Sequence, residues 1–322
     1  MKALVYAGPG DAAVIETADP VIGNTECLVR PIQVGICHSD FDLLDGNYIL
    51  PVNYPIIPGH EWFGEVVEVG TDVEGFKVGD RVVGECSVAD DQHFGFTIDG
   101  AMATSMKVES SWLHKVPDSI DDTKAALIEP FTVAYGATDK IDASDDVVVF
   151  GAGPIGLCAV VSANCKGGRV ILVEPDEARR SLAKDLGASE TIDPINEDVV
   201  KRVMELTGGV GASRVIEASG RPAVMAQTLQ IAKYGGYITN VGINVGDTAP
   251  ALLGLIVEKN LTIRGQVGSV GVWPAAITFL GRQDVDLSVI VSEVFPLEEA
   301  NQALEASAMR DQNIKIHVRP QD

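Results

Sequence analysis

The sequence predicts a two-domain α/β protein, in which a β-rich domain precedes a doubly wound domain built on a parallel sheet. The chain has 322 residues, which is more than one hydrophobic core usually organises. Short β-branched runs, and no long amphipathic helix, fill the sequence up to about residue 120. Beyond that point strand-like and helix-like segments alternate, and this change divides the chain into two parts.

The β-rich part consists of apolar runs separated by glycine, proline and aspartate, which favour turns. These runs read KALVYA, ECLVRPIQVGI, FGEVVEVG and DRVVGEC. A stretch with helical spacing of its apolar residues follows, DDTKAALIEPFTVAYGATDKI. We therefore expect a mostly β domain that ends near residue 130.

The second part alternates strands with helices. The predicted strands read DVVVFGAG, GRVILVEPD, ASRVIEASG, GGYITNVG and NLTIRGQVG. The predicted helices between them read PIGLCAVVSANC, EARRSLAKDLGA and RPAVMAQTLQIAK. Continuous apolar strands separated by helices indicate a parallel sheet covered on both faces, which we place at residues 131–268. The remaining tail contains two predicted helices and a last strand, NIKIHV, and must pack back on one of the domains.

Composition excludes several classes of function. Lys and Arg total 24 against 46 Asp and Glu, for a net charge of −22, and such a surface repels nucleic acid. No apolar stretch is long enough for a membrane span, and the start carries no secretory signal, so we expect a cytoplasmic protein. Five irregularly spaced cysteines do not suggest a disulfide framework.

A glycine-rich turn predicts a dinucleotide site. Gly151, Gly153 and Gly156 follow the strand DVVVF, and a helix opens at Pro154 and Ile155 within that turn. These glycines allow a tight turn, close approach of a pyrophosphate and close packing of helix on strand. Glu174 ends the next strand, where an acid accepts hydrogen bonds from ribose hydroxyls and repels a 2′-phosphate, which favours NAD over NADP. Arg179 and Arg180 leave NADP open, since an arginine there can bind a 2′-phosphate.

A second group of residues suggests a metal site. Cys37 lies in VGICHSDFD, and His60 and Glu61 lie in PGHEWFG; these are side chains that Zn²⁺ accepts. Glu129, an acid in apolar surroundings, is a candidate for a further ligand, and Asp40 for the acceptor that orients His60. Taken singly, each residue has a commoner explanation as a buried cysteine, a loop histidine or a helix-capping acid.

The patterns GxCxSD, PGHE, EP and GxGPxG together resemble the zinc-dependent medium-chain dehydrogenase/reductase family, in particular its sorbitol- and cyclitol-dehydrogenase-like branch. The resemblance extends through VGTDVEGFKVGDRV, VIEASG and VEKNLTIRG. It implies a GroES-like catalytic domain at residues 1–130, completed by residues 269–322, and a Rossmann domain at residues 131–268.

The resemblance also implies roles for individual residues. Cys37 and His60 match the constant zinc ligands, and Glu129 matches a ligand position that is Cys in many alcohol dehydrogenases and Glu in the polyol branch. Glu61 matches an acid beside the zinc that is a direct, water-bridged or transient ligand. The remaining matches are the proton-relaying hydroxyl (Ser39), a basic side chain at the pyrophosphate (His38), one at the adenine (Arg179), and a segment along the nicotinamide (Val267 to Ser269).

Two departures from the family bear on the prediction. Many relatives carry a lobe with four closely spaced cysteines that bind a structural zinc, and here the chain runs from Cys86 to His93 without one. We therefore expect one catalytic zinc and no structural zinc; either the lobe is naturally absent or residues are missing from the sequence. Asp42 stands where many relatives have a histidine that passes the proton to solvent. Two proton acceptors are therefore considered at this point, the Asp42 carboxylate and water.

The resemblance implies hydride transfer between a secondary alcohol of a polyol, sugar or cyclitol and NAD, by a zinc-containing enzyme that forms a homodimer or homotetramer. Two alternatives stay open at this point. One is a zinc-free quinone or enoyl reductase of the same superfamily, and the other is a non-catalytic NAD-binding relative. Phe94, Phe96 and Trp273 are candidates to line a substrate pocket, although each is more often a core residue.

Overall fold

The computed structural model describes residues 1–48, 52–89, 92–269 and 271–321. The chain divides into two compact units. The first comprises Met1–Glu129, Gly268–Arg282 and Leu287–Asp322, and the second comprises Pro130–Val267 and Gln283–Asp286.

The second unit contains a parallel sheet covered by helices. Its strands are β10 (Asp146–Phe150), β11 (Arg169–Val173), β12 (Glu190–Ile192), β13 (Ala212–Glu217), β14 (Ala232–Asn240) and β15 (Thr262–Gly265). Within the described residues these six strands pair in the order β12-β11-β10-β13-β14-β15. This order reverses between β10 and β13, which confirms the predicted doubly wound sheet.

The helices of this unit follow the strands in alternation. They are α3 (Ile128–Ala137), which begins at the boundary between the units, α4 (Pro154–Cys165), α5 (Glu177–Asp185), α6 (Val199–Leu206), α7 (Pro222–Ile231) and α8 (Gly254–Glu258). Aspartate caps two of them, since Asp176 accepts the Arg179 N–H and Asp198 accepts the Lys201 N–H. The central strands are almost wholly apolar because helices cover both of their faces.

The first unit is built on β-strands. They are β1 (Lys2–Gly8), β2 (Asp11–Glu16), β3 (Glu26–Gly35), β4 (Glu61–Val69), β5 (Arg81–Gly84), β6 (Ser87–Ala89), β7 (Gln92–His93), β8 (Met106–Glu109), β9 (Leu113–Lys115), β16 (Val291–Pro296) and β17 (Lys315–Arg319). In the described part of the chain, seven of these strands form one sheet, in the order β16-β17-β3-β4-β5-β9 with β8 also on β3. The tail thus joins the first unit, because β17 pairs with β3.

Short helices complete the first unit. They are α1 (His38–Leu44), α2 (Asp122–Ala126), α9 (Trp273–Leu280) and α10 (Ala300–Ala308), with 3₁₀ turns at Ser110–Trp112, Leu287–Ile290 and Leu297–Glu299. The stretch around residue 130 with helical spacing of its apolar residues forms two helices, α2 and α3, separated by Leu127, the C-cap of α2. None of the helices in the described ranges is long and apolar enough to cross a membrane.

Candidate metal and dinucleotide sites

Strand pairing brings the two ligand-bearing segments together. The last residue of β3, Gly35, pairs with the first residue of β4, Glu61, so the chain after β3 passes beside the chain before β4. Cys37 follows β3 as the N-cap of α1, and its backbone N–H donates to Asp40 Oδ2 at 2.8 Å. A Cβ at Gly35 would lie 2.6 Å from Glu61 Oε2, so a side chain at this position would displace the Glu61 carboxylate.

Cys37, His60 and Glu61 form a group with the composition of a zinc site. One ligand atom from each side chain lies within 4.8 Å of the other two. Zinc–ligand bonds of about 2.0–2.3 Å place tetrahedral ligands roughly 3.3–3.8 Å apart, so a contraction of about 1 Å would close these atoms around an ion. The soft thiolate, the imidazole and the carboxylate are all donors that zinc accepts, and the residues present therefore fit the metal.

Asp40 lies behind His60. Its Oδ1 is 3.6 Å from His60 Nδ1, and both residues are buried. Although burial alone would lower it, the pKa of His60 is raised well above its usual value by Asp40 and Cys37. An acid at this ring nitrogen leaves Nε2 as the ligating atom, which is the usual arrangement around zinc-bound histidines.

Glu129 stands outside the group of three but close to it. The residue is 9% exposed, and its burial, together with the charge of Glu61, raises the pKa of its carboxyl group to about 7. Two buried acids and a thiol close together repel one another when ionised, and a divalent cation would offset that repulsion. The electrostatics of Glu129 thus fit a position beside a metal.

The structure reveals a site residue that the sequence did not indicate. Lys315, in β17, forms a buried ion pair with Glu61, and its ammonium also donates to the Ile36 carbonyl at 2.8 Å. Although burial disfavours its charge, Glu61 and Cys37 raise the pKa of Lys315. The sequence signal that could have indicated this residue is a single lysine between the isoleucines of the strand NIKIHV.

The other residues expected near the metal lie on the first turns of α1. Ser39 is half-buried, and His38 is exposed and contacts the guanidinium of Arg310. Burial and Arg310 together lower the pKa of His38. Asp42 lies 3.9 Å from His38 Nε2, so the two side chains form a weak pair on one face of the helix.

Aromatic side chains separate into site and core. The Phe96 ring lies 4.7 Å from the His60 ring and stacks on Tyr48 at 4.4 Å. Tyr48, half-buried, is a second residue that sequence reasoning missed. Phe94 instead packs on Trp62, and Trp273 stacks on His114, so both of these are core residues.

The glycine-rich turn has the geometry that a dinucleotide needs. Gly151 has a φ of +92°, which only glycine adopts easily, and a Cβ at Gly156 would overlap the Gly151 carbonyl. A Cβ at Gly153 would meet nothing within 4 Å, which leaves the space above it open. Pro154 and Ile155 begin α4, whose N-terminus has no side-chain cap, so its first N–H groups can bind an anion.

Glu174 sits at the end of β11, beside this turn. Its Oε2 accepts the Ala152 N–H at 2.7 Å, and Oε1 accepts the Asp176 N–H at 3.1 Å. The Arg180 guanidinium donates to the Glu174 and Pro175 carbonyls and pairs with Asp193, whereas Arg179 is half-buried at the start of α5. Of the segment expected at the nicotinamide, Val267 is 78% exposed and Ser269 is buried.

Comparison with known proteins identifies two family domains in the chain. The family described as alcohol dehydrogenase GroES-like domain matches residues 23–118, and the family described as zinc-binding dehydrogenase matches residues 154–282. The sorbitol dehydrogenase of Halalkalibacterium halodurans is 32% identical to the chain, and the alignment covers 100% of both.

Two solved structures show the same architecture. The 2R,3R-butanediol dehydrogenase of Bacillus subtilis superposes with a TM-score of 0.90 at 29% identity, with 99% of each chain covered. A Sinorhizobium meliloti structure with bound NADP gives a TM-score of 0.93 at 26% identity, again over 99% of each chain. These likenesses confirm the predicted GroES-like and Rossmann fold and the predicted family. The chain belongs to the zinc-type medium-chain dehydrogenases and is an oxidoreductase of the alcohol and polyol type.

Proposed function

We propose that the protein transfers a hydride between a secondary alcohol of a polyol, sugar or cyclitol and NAD, with one catalytic zinc ion. The observation that carries this proposal is the convergence of Cys37, His60 and Glu61, with Asp40 behind His60. A zinc-free quinone or enoyl reductase has no use for this donor set, and a non-catalytic relative has no use for Ser39 beside it.

Cys37, His60 and Glu129 would hold the zinc ion, and Glu61 would lie beside it as a direct, water-bridged or transient ligand. When bound, the ion supplies Lewis acidity that lowers the pKa of an alcohol hydroxyl. Lys315 holds Glu61 through their ion pair and therefore governs how far this carboxylate turns toward the ligand group.

The chain's own residues would handle the proton and shape the site. Ser39 is the hydroxyl that accepts the proton of the substrate alcohol and passes it on. Asp42, rather than a histidine, stands farther along α1, so its carboxylate or water receives the proton. Phe96 and Tyr48 form an aromatic wall beside His60 that would contact the carbon chain of the substrate.

The cofactor would bind over Gly151, Gly153 and Gly156, at the carboxyl edge of the parallel sheet. NAD is preferred over NADP because the buried Glu174 carboxylate repels a 2′-phosphate. Arg180, which could otherwise attract that phosphate, is already engaged with two carbonyls and Asp193. Arg179 would lie beside the adenine, and His38 would contact the pyrophosphate. Val267 to Ser269 would run along the nicotinamide.

We further propose a homodimer or homotetramer in which residues 1–130 and 269–322 form the catalytic domain and residues 131–268 the cofactor domain. In the described part of the sheet, β15 is an edge strand with exposed backbone. Exposed apolar side chains lie in and near it: Leu252, Leu253, Val257 and Ile263. A second copy of the chain would cover them.

The test is metal analysis of the purified protein together with NAD⁺ reduction over a panel of polyols, sugars and cyclitols. We expect about one zinc per chain, turnover with a secondary alcohol, and loss of both zinc and turnover in Cys37→Ala. Cys165→Ala, on α4 in the other unit, is the matched control and should keep both. Full activity in a zinc-free preparation would refute the metal role, and two zinc ions per chain would refute the absence of a structural zinc.

A further inference from the structure

The buried carboxylate of Glu217 binds the loop that follows its own strand. Glu217 is the last residue of β13 and is fully buried. Its Oε1 accepts the backbone N–H of Ser219 at 2.8 Å and of Gly220 at 3.1 Å, and also the Ser219 hydroxyl. Its Oε2 lies 3.3 Å from the Gly220 N–H. A single carboxylate thus satisfies the donors of a whole turn.

The same residue also holds the loop after β14. The Glu217 carbonyl accepts the N–H of Val241 at 2.8 Å and of Gly242 at 3.0 Å. A Cβ at Gly242 would lie 2.5 Å from the Gly220 Cα and 2.7 Å from Glu217 Oε2. The two loops are therefore in direct backbone contact around this carboxylate, with no room for a side chain.

The glycine-rich turn packs against this pair of loops. The Ala218 N–H donates to the Phe150 carbonyl at 2.9 Å, and a Cβ at Gly151 would lie 3.2 Å from the Ala218 carbonyl oxygen. The turns after β10, β13 and β14 are neighbours at the carboxyl edge of the sheet, where doubly wound folds bind their ligands. Glu217 lies at the junction of all three.

We propose that Glu217 is a positioning residue for the nicotinamide dinucleotide: its carboxylate fixes the Ser219–Gly220 turn, which packs directly on Gly242 and on the glycine-rich turn, and so prearranges the surface on which the cofactor lies. This inference rests on the proposed dinucleotide site. A glutamine in its place offers one oxygen and one N–H₂ group. The glutamine oxygen can still accept the Ser219 and Gly220 N–H groups, but the N–H₂ group takes the place of Oε2 and faces the Gly220 N–H as donor against donor, so the turn is held less firmly.

This role differs from a contribution to folding. Burial raises the pKa of Glu217, so at neutral pH the ionised carboxylate costs the folded state free energy that a neutral glutamine does not. Loss of its hydrogen bonds in Glu217→Gln acts in the opposite direction. A residue that serves only stability would give a fall in melting temperature parallel to any loss of binding, whereas a positioning residue separates the two readouts.

The experiment measures the Kd of NADH by fluorescence, and in parallel the zinc content and the melting temperature without nucleotide. Glu217→Gln is expected to weaken NADH binding about tenfold or more, with unchanged zinc and a melting temperature within about 3 °C of the wild type. Ser219→Ala, which removes one donor, is the milder variant and should weaken binding about threefold. Glu258→Gln, exposed on α8, is the matched control and should bind as the wild type does.

Two outcomes would overturn the inference. The first is an NADH Kd within twofold of the wild type in folded Glu217→Gln; should that variant fail to fold, an unchanged Kd in Ser219→Ala decides the question in the same way. The second is weaker NADH binding together with a melting temperature that falls by more than about 3 °C, which indicates a structural role only. If the wild type binds neither NADH nor NADPH, the proposed dinucleotide site itself is wrong, and that result is visible without any variant.

Discussion

Lys315 and Glu61 form an ion pair with both side chains only 3% exposed, beside the cysteine and histidine of the candidate metal site. The ammonium comes from the last strand of the chain and the carboxylate from the first residue of β4. Each charge is expensive to bury alone, and the two charges offset part of each other's burial cost. Any cation that binds there must compete with Lys315 for this carboxylate.

We expect Lys315→Met to destabilise the metal-free protein by about 3 kcal/mol, because it leaves Glu61 buried without a partner. Zinc should restore more stability in this variant than in the wild type, since the ion replaces the missing positive charge. Denaturant unfolding with and without zinc measures both effects. Lys2→Met is the matched control, because Lys2 pairs with Glu298 at the surface and its loss should cost under about 1 kcal/mol. Equal effects of the two substitutions would contradict this account.

A second prediction concerns Asp40, which accepts the Cys37 N–H and lies 3.6 Å from His60 Nδ1. Asp40→Asn should weaken zinc binding about 10- to 100-fold, because an amide cannot serve both the N-cap and the imidazole as an anion does. Competition with a chelator measures the affinity.

Asp121→Asn provides the control for capping alone. Asp121 caps α2 by accepting the Lys124 N–H at 2.9 Å and is not part of the ligand group. It should lose a similar amount of helix-capping energy and keep its zinc affinity. An Asp40→Asn protein that binds zinc as tightly as Asp121→Asn would show that Asp40 only caps its helix.

The fold was predictable because its signals are local. The central strands β10 and β11 are continuous apolar runs, and each ends at a glycine or an acid that the sequence displays. The short strand β12, Glu190–Ile192, is half polar and was not among the predicted strands. The turn at Gly151 was also predictable, because its positive φ favours glycine at that one position. The boundaries of the helices were less predictable, as the division of one expected helix into α2 and α3 shows.

The candidate site was predictable in part, and only with the family resemblance. Cys37 and His60 carry a ligand chemistry that is visible in the sequence, but their approach depends on the pairing of β3 with β4. Lys315 could not be assigned, because its partner lies on a strand remote in sequence and a lysine in a last strand is ordinarily solvated. Long-range pairing of this kind leaves no local pattern.

A third prediction tests the cofactor preference assigned to Glu174. Its carboxylate accepts the Ala152 N–H in the glycine-rich turn and the Asp176 N–H at the start of α5, and the residue is 7% exposed. Glu174→Ala should raise the KM for NAD⁺ about tenfold and leave that for NADP⁺ unchanged or lower, because both a ribose acceptor and a repelling charge are lost. Steady-state kinetics with the two nucleotides measures the ratio.

The exposed Glu177→Ala, in the first turn of α5, is the control for this ratio. It removes a nearby negative charge without touching the turn. If Glu177→Ala shifts the ratio of the two KM values as much as Glu174→Ala does, the preference reflects general electrostatics and not the position of Glu174.

The last prediction concerns acid stability and Asp80, in the turn before β5. Its carboxylate accepts the Lys77 N–H at 3.0 Å and pairs with the ammonium groups of Lys77 and Lys115. Although burial opposes the shift, these lysines lower the pKa of Asp80 to about 2, from 3.8. A lowered pKa stabilises the folded state above the unfolded value, and that stabilisation is lost as the pH falls from about 3.8 to about 2.

Asp80→Asn should therefore lower the free energy of unfolding by about 1 kcal/mol at neutral pH. Its difference from the wild type should be constant above about pH 5 and shrink as the pH falls toward 2, because protonated wild-type Asp80 resembles asparagine. Urea unfolding of both metal-free proteins across this range gives the difference directly. Asp72→Asn, in an exposed turn of the same unit, is the surface control and should change the free energy of unfolding by less than about 0.5 kcal/mol at neutral pH. A difference between Asp80→Asn and wild type that stays constant down to pH 2 would mean that hydrogen bonding in the turn, and not the charge on Asp80, supplies the stability.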